Sequence, residues 1–205
     1  MGLSFDRIQK YNQKCSKLNI LGREVVEYFM DNRHEREFRR PKYDDIAEIT
    51  AFKQEFQESN SGMDGTGTLV RCNAEEWLDY NQQMEKGNNP QSLHCLQYGL
   101  FQPENGRLLG LLQIRLELVG YLVDFGGHIG YCVRPSERRK GYAKEMLCRS
   151  LDICRERGLQ KVLVTCLEDN FGSSRTIESC GGIFEKVVYD GQNYMANMKR
   201  YWIML

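Results

Sequence analysis

Residues 134–143, Arg-Pro-Ser-Glu-Arg-Arg-Lys-Gly-Tyr-Ala, place four cations around one glycine. The chemistry they suit is anion binding. A helix starting just past Gly141 would offer unpaired N–H groups and the positive end of its dipole. Gly141 lacks a Cβ, so the backbone can come close to an anion, and Ala143 keeps the first turn slim. Arg138, Arg139 and Lys140 add charge able to pair with phosphate oxygens. The combination describes a seat for linked phosphates at a helix N-terminus. It has neither the GxxxxGK[ST] spacing of a P-loop nor a GxGxxG pattern. A nucleotide-like ligand carrying a pyrophosphate remains, and coenzyme A fits.

The flanking elements must hold that seat in place. "GGHIGYCVRP" (126–135) has the apolar character of a strand ending at a proline. The helix beginning near Gly141 has a stripe of Ala143, Leu147, Leu151 and Cys154 and stops at Gly158. Residues 160–167 form a β-branched strand. Asp169 or Asn170 caps the next helix, which leaves at Gly181-Gly182. Strands over 183–189 and 194–203 are joined by the "DGQN" turn. Upstream, Ile46, Ile49, Phe52 and Phe56 recur at helical intervals within 43–59, and 74–86 makes a second helix. The glycine-rich 60–71 stretch between them is a flexible loop, its GxG too short for a nucleotide motif. "HCLQYGLFQ" and "RLLGLLQIRLEL" flank "PENG" as a hairpin. The class is α/β, with a mixed, mostly antiparallel sheet.

Residues 1–38 stand apart from this pattern. Phe5, Ile8, Tyr11, Cys15, Val25, Val26 and Phe29 recur loosely, as in a helical N-terminal extension. The charge-dense 31–42 run reads as a solvated connection to a domain over 39–205. Across 205 residues, 28 Lys and Arg balance 28 Asp and Glu, so no basic excess points to nucleic acid. No run approaches the apolar length of a membrane span. The opening residues lack a signal-peptide pattern, and Asp6 stands where myristoylation wants Ser or Thr. The eight cysteines form no CxxC pair, and most lie in apolar runs where Cys acts as a small buried hydrophobe. The expectation is a reduced, cytoplasmic protein without a metal site, as monomer or homodimer.

Arg138-Arg139-Lys140-Gly141-Tyr142-Ala143 resembles the [Q/R]-x-x-G-x-[G/A] signature of the GNAT superfamily of N-acetyltransferases. "EDNFGSSRTIESCGG" is similar to that superfamily's N-x-x-[S/A]-x-x-x-[L/I/Y]-E-x-x-G block. The likeness runs over roughly residues 40–203, and "GGHIGYCVRPSERRKGYA" looks especially like a bacterial branch of predicted acetyltransferases. It implies a GNAT-like sheet whose central strands splay apart, with flanking helices. It implies acetyl-coenzyme A as cosubstrate and a primary amine as acceptor, which attacks the thioester directly. The pantetheine arm would lie along Tyr131, Cys132 and Val133. Residues 138–143 would take the pyrophosphate, and Asn170 with Ser173 or Ser174 would border the thiol end.

The resemblance also implies catalytic roles. An N–H around Cys132 is the natural donor to the developing oxyanion. His128 lies where several superfamily members have a glutamate base, and strand alternation puts it on the face of Cys132. Its other reading is a strand histidine hydrogen-bonded to a neighbour. The tyrosine many members carry seven residues after the motif asparagine is Ile177 here, which leaves the thiolate's acid unassigned. The acceptor would come in past the 60–71 loop, the 117–126 segment and the 189–194 turn, where Asp64 or Asp124 could attract a cation. Two rivals stand beside this reading. One is a non-catalytic acyl-coenzyme A sensor. The other is a cysteine phosphatase, since Cys132 to Arg138 satisfies C-x5-R.

Overall fold

The computed structural model of the protein describes residues 36–89 and 93–205. The helices expected before residue 36 lie outside the described residues. Two helix pairs cover opposite faces of one sheet. Helix α1 (Ile46–Glu58) buries Ile49, Phe52 and Phe56, spaced three and four apart on a single stripe. Helix α2 (Ala74–Glu85) starts at a reciprocal cap, with Asn73 accepting from the Glu76 amide and Glu76 accepting from the Asn73 amide. Their apolar faces meet Phe101, Leu108, Leu111 and Cys132 of the sheet. On the other face, α3 (Tyr142–Glu156) and α4 (Phe171–Ser179) bring Met146, Leu147, Cys154 and Ile177 onto Leu109, Leu112 and Val164.

The strands are β1 (Glu37–Arg39), β2 (Cys95–Phe101), β3 (Leu108–Arg115), β4 (Ile129–Val133), β5 (Lys161–Leu167), β6 (Ile183–Asp190) and β7 (Ala196–Met204). They lie in the order β1-β2-β3-β4-β5-β7-β6. Every neighbouring pair is antiparallel except β4 and β5. Strand β3 is buried on both faces, which explains its nearly unbroken apolar run.

Two local readings change. The charged run expected to be a solvated connection contributes β1, whose Glu37 pairs with Phe101. Three residues with two charges carry no alternation signal, and long-range stacking holds them instead. Phe38 stacks on Tyr98 at 4.9 Å, and the Arg39 guanidinium lies 3.8 Å from the Phe101 ring centre. Arg39 also donates to both oxygens of Asp45, at 2.7 and 2.9 Å. The second change is in α3, whose buried stripe includes Met146 and Ser150, whereas Ala143 is half-buried.

Candidate active site

The sheet is continuous until β4 meets β5. These strands run parallel and pair at one position, Ile129 with Val164. His128 closes the joined end. Its amide donates to the Leu163 carbonyl at 2.7 Å, and the Leu163 amide donates back to His128 Nδ1 at 2.8 Å. Beyond this pin the strands part, and β4 from Tyr131 to Val133 has no partner on β5. The Arg134 amide donates to Leu109 on β3. Strand alternation therefore turns the amides of Val133 and Tyr131 the other way, into the gap.

The bonding of His128 works against the base role expected of it. Nδ1 already accepts a backbone hydrogen bond, so the neutral ring carries its proton on Nε2. Burial, and then the Arg115 charge, lower its pKa to about 4, leaving a poor proton acceptor. The geometry matches the second reading of the sequence, a histidine hydrogen-bonded to the next strand.

At the open end of β4 the chain makes a short 3-10 turn, Pro135–Glu137, then the loop that precedes α3. Arg139 and Gly141 both take left-handed backbone, at φ 68 and 86. An added Cβ at Gly141 would meet nothing within 4 Å, so its glycine serves the backbone turn and leaves the helix mouth open. The four cations divide their tasks. Arg134, 2% exposed, lies between Glu48 at 2.9 Å and Glu55 at 3.4 Å and ties β4 to α1. Lys140 pairs with Glu137 at 2.7 Å, and this bond is the first cause holding the Glu137 carboxyl below its ordinary pKa. Arg138 turns back to the Val133 carbonyl, with its guanidinium 5.6 Å from the Phe56 ring centre. Arg139 is exposed and, among the described residues, makes no hydrogen bond or ion pair. Arg107 and Glu55 steady the turn through Ser136 and Glu137.

Helix α4 begins beside the gap. Asn170 caps it by accepting from the Ser173 amide at 3.0 Å. Ser173 faces β4, where its hydroxyl lies 2.8 Å from that of Tyr131. Ser174 points inward instead, 6% exposed with its oxygen 3.4 Å from the Cys166 sulfur. Burial raises the Tyr131 pKa well above the ordinary phenol value, so the hydroxyl stays protonated. Tyr142 and Ala143 are half-buried in the first turn of α3.

On the face covered by α1 and α2, three segments left free by the motifs converge. Tyr194 donates to Asp64 at 2.6 Å, joining the last turn to the glycine-rich loop. Tyr121 donates to Asp190 at 2.5 Å, joining the 117–126 segment to the same turn. The glycine-rich loop presses on β4, for a Cβ at Gly65 would lie 2.1 Å from the Gly130 carbonyl oxygen. Trp77 donates to the Thr66 carbonyl and Gln97 to that of Gly65, which fastens the loop there. Arg115 Nη1 donates to the carbonyls of Gly126 and Gly127. Gly65, Tyr121 and Arg115 were missed as site residues. The GxG of the loop was the available signal, since a glycine outside a motif often marks close backbone approach.

Cys132 is no nucleophile. It is 8% exposed within the α1–α2 core, and burial drives its thiol pKa far up. With Arg138 turned toward Phe56, the C-x5-R spacing encloses no phosphate loop, and the phosphatase reading falls. Among the described residues no group of three His, Cys, Asp or Glu is placed to hold a metal. None of their helices is long and apolar enough to cross a membrane.

Residues 36–183 match the acetyltransferase (GNAT) domain family. The chain belongs to that family. This GNAT chain carries the family's mixed sheet with parted central strands, and it is an acetyltransferase by membership. Its fold is similar to that of ribosomal-protein-S5-alanine acetyltransferase from Vibrio fischeri, with a TM-score of 0.67 at 12% identity, over 83% of this chain and 93% of that one. RimJ from Mycobacterium smegmatis, solved with a coenzyme A disulfide, gives 0.63 at 19% identity, over 82% and 81%. The microcin C7 self-immunity acetyltransferase MccE, solved with acetyl-CoA and AMP, gives 0.61 at 15% identity, over 84% and 93%. At these identities the likeness is one of fold. No curated protein sequence matches the chain significantly.

Proposed function

We propose that this GNAT protein moves the acetyl group of acetyl-coenzyme A to a primary amine by direct attack, without a covalent enzyme intermediate. The parting of β4 from β5 after a single pair carries the reading. It leaves a slot beside backbone amides that a flexible acyl arm can fill as an extra strand fills a sheet. Helix α3 begins directly after Gly141 at the open end of β4, and the positive end of its dipole, with Arg139, would hold the pyrophosphate. Arg138 and Lys140 would shape that loop, with less charge left to give. Asn170 and Ser173 would border the arm. Ser174, turned into the core, would support α4 from within.

The reaction needs a neutral amine, a polarised carbonyl and a proton for the departing thiolate. The amides of Tyr131 and Val133, which alternation turns into the gap, would polarise the carbonyl in preference to that of Cys132. Tyr131, held by Ser173 at the gap and protonated at neutral pH, can protonate the thiolate. Asp64 is exposed beside β4 and bonded by Tyr194, where its carboxylate can pair with the acceptor's ammonium group and position it. Holding both reactants in one cleft supplies much of the rate.

Calorimetry with acetyl-coenzyme A, followed by thiol-release assays with spermidine, ethanolamine, an alanine-initiated peptide and a lysine ε-amine, tests the proposal. Saturable binding and turnover with one amine class are expected. Binding without turnover of any of them would make the protein an acyl-coenzyme A sensor. No heat with the donor would end both readings.

A further inference from the structure

The acetyl-transfer site makes no use of two cysteines on its far side. Cys148 lies on α3, and Cys180 follows the last residue of α4, 32 positions later. Their sulfurs are 3.2 Å apart. Two thiols this close need only a small movement to reach bonding distance. Their surroundings separate them from the other described cysteines. Cys95, Cys132, Cys154 and Cys166 are buried, and Cys72 is half-buried with its thiol on the Thr68 carbonyl. Cys148 is exposed and Cys180 half-buried, so solvent reaches this pair.

We infer that Cys148 and Cys180 form a thiol–disulfide exchange site that reacts with low-molecular-weight disulfides and, once oxidised, ties α3 to α4. The exposed Cys148 meets the oxidant first. Its thiolate attacks one sulfur of a disulfide such as glutathione disulfide, and one glutathione leaves as a thiol after taking a proton from solvent. Cys180 then loses its proton to solvent and attacks Cys148 sulfur, releasing the second glutathione. Two protein thiols are oxidised and one external disulfide is reduced to two thiols. Burial first, and the neighbouring Cys148 next, push the Cys180 thiol up to about 12. The Cys148 part of that effect vanishes once Cys148 is in the mixed disulfide, which favours the second step.

The crosslink would join the two helices whose N-termini border the cleft, closing a loop of about thirty residues. The test treats the full chain with glutathione disulfide or with dithiothreitol and maps the peptides by mass spectrometry. Expected is one crosslinked peptide pair, 148 with 180, that has lost two hydrogens and is restored by dithiothreitol. Its melting temperature should exceed that of the reduced chain by about 5 °C. Cys180→Ser should trap one glutathione on Cys148, and Cys148→Ser should leave Cys180 unmodified. Both thiols staying free would overturn the inference. So would oxidation confined to Cys15 or Cys72, or a glutathione adduct that persists on Cys148 in the unaltered chain.

Discussion

The Leu163 amide donates a 2.8 Å hydrogen bond to Nδ1 of His128, so a side chain pins the point from which the two central strands diverge. His128→Asn keeps an acceptor near that atom and removes the titration. Turnover with any accepted amine should stay within about two-fold, since a group already accepting a backbone bond is not the base. Stability should respond to pH. Folding depresses the pKa from 6.5 to about 4, so below pH 6.5 the unfolded chain binds a proton that the folded chain refuses. The parent should lose stability against the variant as pH falls from 6.5 to 4, by about 2 kcal/mol after allowance for partial exposure. Urea denaturation across that window reads the difference. A variant with at least 100-fold lower kcat and intact folding would restore the base role.

Tyr131→Phe deletes a hydroxyl and little volume. It should lower kcat by about 100-fold with KM for acetyl-coenzyme A nearly unchanged, since acid catalysis commonly contributes on that scale. The pKa of the thiol in bound coenzyme A, followed by thiolate absorbance, should rise. If the Tyr131–Ser173 bond merely bars the gap, the variant will bind the coenzyme more tightly and turn over no slower.

Gly65→Ala tests the loop seated on β4. Its Cβ would fall 2.1 Å from the Gly130 oxygen, at a backbone φ of 69. Strain and displacement should cost at least about 2 kcal/mol. Amine turnover should drop sharply, whereas calorimetric binding of acetyl-coenzyme A survives. Asp64→Asn should reproduce the loss of turnover without the loss of stability.

Arg139 and Lys140 carry the same charge in different surroundings. Arg139→Gln should weaken acetyl-coenzyme A binding about five- to ten-fold, less so at high salt. Lys140→Gln should cost less, because Glu137 already engages the ammonium group. Equal losses from both would mean that the phosphates break the Lys140–Glu137 pair.

Much of the fold is visible in short stretches of sequence. Asp169-Asn170 announces a cap, Gly158 a helix end and "PENG" a hairpin, because each acts through neighbours a few residues away. Strand β1 is not visible, since Phe38 and Arg39 are held by Tyr98, Phe101 and Asp45 rather than by their own pattern. The cationic loop is legible as a place, but its division of labour is not. Which cations are committed depends on Glu48, Glu55 and Phe56, far away along the chain.

Residue type and spacing alone determined the order of elements after β1 and the helix mouth at Gly141. Those features follow from backbone freedom, local caps and apolar periodicity, all complete within a few turns of chain. Only the tertiary structure decided that His128 accepts a bond from Leu163, that Tyr131 meets Ser173, and that Gly65 rests on Gly130. Each contact joins residues 35 or more positions apart. A side chain's proton affinity and reach depend on such partners, which exist only once the sheet has formed.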